Sequence, residues 1–166
     1  MALRMFAKDT AFVDIETTGG NATRDRITEL AILTMKDGKL VSEWQTLINP
    51  ETWIPEHIQR LTGISNDMVS VAPTFEKVSK EVLERLSGFV FIAHNARFDY
   101  GFIKNEFKRC GMKFKAPVLC TVKLSRILFP DQRRHNLDSI MKRHGLVCTA
   151  RHRAYGDARV LFDFMC

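Results

Sequence analysis

The chain has 166 residues, 45% hydrophobic and 27% charged, with a net charge of +6. That length fits one domain burying roughly two-thirds of its unfolded surface, with the composition of a soluble globular protein. No apolar run reaches the length of a membrane span and Met1–Asp9 carries no export signature, so membrane association is not expected.

A first strand covers about residues 10–17. Two further apolar runs, Ile27–Met35 and Leu40–Ile48, are joined by Lys36-Asp37-Gly38-Lys39, and Asp-Gly between strands signals a tight hairpin. Asn49-Pro50 ends the third strand, and Pro55 opens a short helix that stops near Gly63. Phe75, Val78, Val82, Leu83 and Leu86 form a helical stripe, and Phe89–Ala93 is short, continuous and apolar, as a buried parallel strand is. Asn95 is expected to cap a helix running to about Cys110 and halted by Gly111. Val118-Leu119 reads as a last short strand, followed by a helix through Phe129 and helices over Asn136–His144 and Tyr155–Met165. A three-stranded hairpin unit followed by alternating helices and strands makes an α/β fold with a mixed five-stranded sheet. Residues 1–166 are expected to form a single domain, complete or part of a longer protein.

Charge is unevenly spread: residues 1–96 hold 10 basic and 13 acidic residues, residues 97–166 hold 15 basic and 6 acidic. Such asymmetry points to a polyanionic partner or to a solvated basic face. Cys110, Cys120, Cys148 and Cys166 are scattered without Cys-x-x-Cys pairing, which suits reduced thiols in a cytoplasmic protein.

Chemistry concentrates in a few places. Asp14 and Glu16 interrupt the apolar run Ala11–Thr17, and strand alternation puts them on one face about 6–7 Å apart. Two anions on a buried strand call for something positive between them, and hard oxygen ligands suit magnesium or manganese. Solvated acids at a strand end are the plainer alternative. Asp99 falls in the first turn of the helix after His94-Asn95-Ala96-Arg97-Phe98, where it suits the helix dipole or reaches a cleft. Asp157 stands at the start of the last helix, five residues after the loop residue His152; histidine takes a proton near neutral pH. His144, Cys148 and His152 share the four-residue spacing of helix-borne zinc ligands, but Gly145 breaks the helix that would align them.

Together these segments resemble the DEDDh 3′–5′ exonucleases, the family that includes the proofreading subunit of bacterial replicative polymerases. Asp14-Ile15-Glu16-Thr17-Thr18-Gly19 looks like its first motif, Ala93–Asp99 its second, and His152-x-Ala154-x-x-Asp157 its third. Arg26-Ile27-Thr28-Glu29-Leu30, Asn49-Pro50 with Ile54-Pro55, and Leu61-Thr62-Gly63-Ile64 are supporting matches. The resemblance implies a ribonuclease-H-like fold and hydrolysis of the terminal phosphodiester with two divalent cations, Mg2+ or Mn2+. It implies that Asp14 serves both cations, that Glu16 and Asp157 complete the site that activates water, and that Asp99 holds the second through water. His152 would take the proton of the attacking water, with the rate falling below about pH 7 as it protonates. Ile15, Thr17, Leu61, Thr62 and Phe98 would contact the 3′-terminal nucleotide of a single-stranded or frayed end, DNA rather than RNA. Lys123, Arg126, Arg151 and Arg153 would receive the trailing strand. A polymerase or fused domain is the expected partner. The competing readings are an exoribonuclease, a nucleic-acid-binding module on the same fold without catalysis, and a domain whose basic helices dock a partner protein.

Overall fold

The computed structural model describes residues 9–166. Its elements are β1 (Thr10–Thr17), β2 (Ile27–Lys36), β3 (Lys39–Leu47), α1 (Glu56–Thr62), α2 (Asn66–Ser70), α3 (Phe75–Leu86), β4 (Val90–Ala93), α4 (Ala96–Arg109), β5 (Val118–Cys120), α5 (Thr121–Leu128), α6 (Leu137–His144) and α7 (Ala154–Met165). The five strands form one sheet in the order β3-β2-β1-β4-β5. The first three pair antiparallel, while β4 and β5 add in parallel, giving the mixed five-stranded sheet expected from the sequence. Asp37 and Gly38 both have positive φ, 48° and 74°, as a two-residue type I′ turn requires, so Lys36 and Lys39 pair across it.

The central strand, β1, alternates its side chains between two cores. Ala11, Val13 and Ile15 pack with Phe75, Val82 and Leu86 of α3 and Phe102, Ile103 and Phe107 of α4. Phe12, on the other face, packs with Leu33, Ile92 and, on α7, Ala158, Leu161 and Met165. Asp14 and Glu16 continue the Phe12 row, so the period of two aims both acids at the α7 side.

Two features open a cleft at the end of β1. The β1–β4 ladder covers only Thr10–Phe12 against Val90–Ile92, so beyond Phe12 no strand among the described residues pairs with β1 on that side. On the other side the β1–β2 register shifts between Glu16 and Thr17, which pair with Glu29 and Ile27 respectively. A crevice at the carboxyl end of diverging strands is where open α/β sheets place their ligands.

Two expectations change. Asn95 occupies the N-cap position of α4 but adopts a left-handed conformation (φ 61°, ψ 50°) and makes no side-chain cap; asparagine tolerates that conformation, and here it turns the chain from β4 into α4. The short α2 has no sequence-stripe signature; it starts where the Ser65 side chain accepts a hydrogen bond from the Met68 N–H.

Candidate active site

Three carboxylates meet at the cleft. Ligand oxygens of Asp14, Glu16 and Asp157 all lie within 4.8 Å of one another, the strand contributing two and the first turn of α7 the third. Asp99 enters from the opposite layer through the gap between β1 and β4. It is buried, and its carboxylate accepts its own backbone N–H and that of Ile15. The sequence motifs therefore meet in space: β1 carries two acids, and helices on opposite faces of the sheet deliver one each.

This acid cluster is electrostatically unsatisfied. Burial, then the charges of Asp99, Asp157 and Glu16, hold the Asp14 carboxyl well above its ordinary range. Glu16 is pushed up to about 8 by burial and by Asp157 and Glu29. Asp99 is likewise pushed up to about 8, chiefly by burial, and burial raises Asp157 against the opposing effect of Arg151. Convergent hard-oxygen donors holding excess negative charge fit a divalent cation. The folded metal-free protein therefore keeps protons that the unfolded chain, with ordinary carboxylates, releases near pH 4. Raised carboxylate pKa values stabilise the fold below the unfolded values, and that contribution is lost as pH rises through about 8. Thermal melts in chelator should show stability falling between pH 5 and pH 9, with added Mg2+ or Mn2+ restoring most at the alkaline end. Chelated protein whose melting temperature rises over that interval would refute this charge balance.

The loop before α7 is fixed by contacts that motif spacing does not reveal. Glu29, buried on β2, takes a bidentate pair from Arg153 (Nη2–Oε1 2.6 Å, Nε–Oε2 3.0 Å) and the Ala154 N–H at 2.9 Å. It thus caps the N-terminus of α7 and fastens the residue that follows His152. His152 has φ 58°, a left-handed conformation that histidine accepts more readily than most residues, and its backbone N–H donates to Asp157. Gly156 is needed beneath this loop: a Cβ there would stand 2.3 Å from the Ala150 carbonyl oxygen and 3.0 Å from Cys148 Sγ. Arg151 binds Asp157 through Nη1 and Asp138 through Nε at 2.7 Å. The expectation that Arg151 and Arg153 receive the trailing strand is thus corrected, because both guanidinium groups are committed to carboxylates. Lys123 and Arg126 remain exposed. Sequence analysis also passed over Arg133, Arg134 and Lys142, which with Ser139 and Arg143 line a concavity of about 540 Å³.

The remaining candidates have varied surroundings. Ile15 is buried, offering its backbone to Asp99, and the Thr17 hydroxyl donates to the Gly19 carbonyl at 2.6 Å. Leu61 is 54% exposed, whereas the Thr62 hydroxyl donates to the Ile58 carbonyl and accepts from the Ile64 N–H, inside its own turn. Phe98 packs on Phe102 with ring centroids 4.8 Å apart and the rings tilted by 49°, and lines a cavity of about 280 Å³ with Gly20, Ala22, Asn95 and Arg97. His94 has its pKa lowered to about 4, first by burial and then by Arg151. Held to Thr121 Oγ1 at 2.9 Å, it is a neutral anchor for α5. His144 lies between the Phe129 and Phe164 rings, and Cys148 faces Asp157, so the zinc spacing does not gather into a cluster.

Comparison with known proteins bears on the family and the fold. The exonuclease family model RNase_T matches residues 11–165. The chain belongs to this exonuclease family. Among curated relatives of the exonuclease, a PolC-type DNA polymerase III of Bacillus cereus is 38% identical over 158 residues, covering 94% of this chain and 11% of that protein. The 3′-5′ exonuclease DinG of Bacillus subtilis is 39% identical over 150 residues, 89% of this chain and 16% of its own length. The chain thus spans under a fifth of these relatives. Exonuclease X in complex with 5′ overhanging duplex DNA superposes with a TM-score of 0.72 at 26% identity, covering 94% of this chain and 90% of that one. E. coli exonuclease I bound to a dT13 oligonucleotide gives 0.83 at 15% identity, covering 94% and 40%. The chain thus has the expected ribonuclease-H-like fold. No helix among the described residues is long and apolar enough to cross a membrane.

Proposed function

We propose that the protein is a metal-dependent 3′–5′ exonuclease that releases nucleoside 5′-monophosphates from DNA ends. The observation that carries this reading is the convergence of Asp14, Glu16 and Asp157 within 4.8 Å, with Asp99 entering beside them through the open edge of β1. Asp14, Glu16 and Asp157 would hold one divalent cation, and Asp14 with Asp99 a second. Bound cations of this kind supply Lewis-acid stabilisation of the attacking and leaving oxygens. His152, on the left-handed loop turn beside Asp157, accepts the proton of the attacking water. The backbone around Ile15–Thr17 and the apolar surfaces of Leu61 and Phe98 seat the 3′-terminal nucleotide, with Thr62 shaping the loop from inside. Exposed Lys123, Arg133, Arg134 and Lys142 give the trailing phosphates a basic path. DNA is favoured because relatives named for DNA replication and DNA-bound neighbours share this fold, and a polymerase or fused domain is the proposed partner.

The test is digestion of 3′-labelled single-stranded DNA, mismatched duplex DNA and RNA with Mg2+ or Mn2+. Mononucleotide release from DNA, slowed about 10²–10⁴-fold by His152→Gln, is the expected result. Intact 3′ ends in every substrate with metal saturated would leave a binding module instead. Release from RNA alone would make it an exoribonuclease.

A further inference from the structure

The acid cluster already contains a positive partner, and it belongs to the chain. Arg151 lies one residue before His152, its side chain 24% exposed, and spans two carboxylates of unlike surroundings. Asp157, at 9% side-chain exposure, belongs to the cluster; Asp138, at 71%, stands outside it in the first turn of α6. The guanidinium charge opposes the rise in pKa at Asp14, Glu16 and Asp157, joined by Arg153 at Glu16 and by His152 at Asp157. A planar fork suits this task because one arm can hold each carboxylate at once. A divalent cation on Asp14, Glu16 and Asp157 needs the same negative charge, and two cations cannot share it without repulsion.

We propose that Arg151 is a built-in counter-cation that competes with the divalent metal for Asp157, with Asp138 as the carboxylate that keeps it when metal takes its place. This rests on the reading of Asp14, Glu16 and Asp157 as metal ligands. Arg151 is thus a positioning residue with two stations. In the metal-free protein it offsets part of the cleft's negative charge and holds the start of α6 against the start of α7. In the loaded protein it is confined to Asp138, at the edge of the cleft beside the basic α5–α6 connection. Metal affinity is thereby lowered by the work of displacing a guanidinium. The exchange also moves the residue next to His152, so metal loading and placement of the base are linked through one peptide.

Mn2+ titration of the full chain, by calorimetry and by melting temperature, tests this in wild type, Arg151→Gln, Arg151→Lys and Asp14→Ala. Arg151→Gln should bind Mn2+ about tenfold more tightly while melting lower than wild type in chelator, because Asp157 loses its partner. Arg151→Lys keeps the charge but cannot span both acids, so its affinity should shift toward that of the glutamine variant. Wild-type affinity in Arg151→Gln overturns the proposal. So does a lysine variant that matches wild type while the glutamine variant binds tighter, since that pattern needs only a nearby charge. Failure of wild type to bind Mn2+, or equal binding by Asp14→Ala, would instead bring down the metal-site reading and the competition with it.

Discussion

Asp14→Asn is expected to abolish exonuclease activity, by at least about 10³–10⁴-fold, while raising the melting temperature of the metal-free protein. The two effects have opposite signs because the same feature causes both. Asp14 lies among three other carboxylates, with burial as the largest contribution to its raised pKa. An amide of the same shape removes the repulsion and the desolvation of a charge, yet cannot bind cations as a carboxylate does. Stability is therefore sacrificed at the cleft for function. Glu16→Gln should lose less, because Glu16 is assigned to one cation and Asp14 to both. Paired measurements of 3′-end digestion at saturating Mg2+ and of melting in chelator decide the matter. An Asp14→Asn protein that melts lower than wild type without metal would show that the carboxylate is structurally satisfied, against the electrostatics of the site.

Glu29→Ala is expected to cost about 1–3 kcal/mol of folding stability, because the Ala154 N–H loses its buried acceptor while the Arg153 side chain, 36% exposed, can turn to water. Glu29 has a side-chain exposure of 4% and receives three hydrogen bonds from Arg153 and one from the Ala154 N–H. Removing it releases the Arg153 guanidinium and strands the first free N–H of α7. Activity should fall as well under conditions where the protein is still folded, because the loop holding His152 loses its fixed end. Denaturant unfolding gives the stability change, and kcat at saturating metal gives the second effect. A loss under 1 kcal/mol would show that Arg153 finds another partner, with Glu16 across the ladder the nearest available acid.

How much of this was legible in the sequence depended on the kind of contact. Asp14 and Glu16 were readable because strand alternation fixes relative direction without any tertiary knowledge. Asp37-Gly38 was readable because few residues accept two positive φ angles in succession. The meeting of Asp99 and Asp157 with them came from motif order, since no local rule says that helices on opposite faces converge at one strand end. Arg151, Arg153 and Glu29 were misread or passed over, because a count of basic residues does not say which cation faces which anion. The capping preference of asparagine failed at Asn95, where the connection from β4 demanded a left-handed turn more than a side-chain bond. Thr62 looked like a cleft residue because of its neighbours in the motif, but its hydroxyl is taken up by its own turn.

The delivery of the four acids by three elements also sets an order in time. Asp14 and Glu16 are made first, Asp99 some eighty residues later, and Asp157 last, on the helix that closes the Phe12 face of the sheet. A chain still emerging from the ribosome holds three of the acids but neither Asp157 nor His152, and the cleft has no far wall until α7 docks. On the proposed assignment of these acids, hydrolytic competence therefore waits until α7 has docked on the sheet.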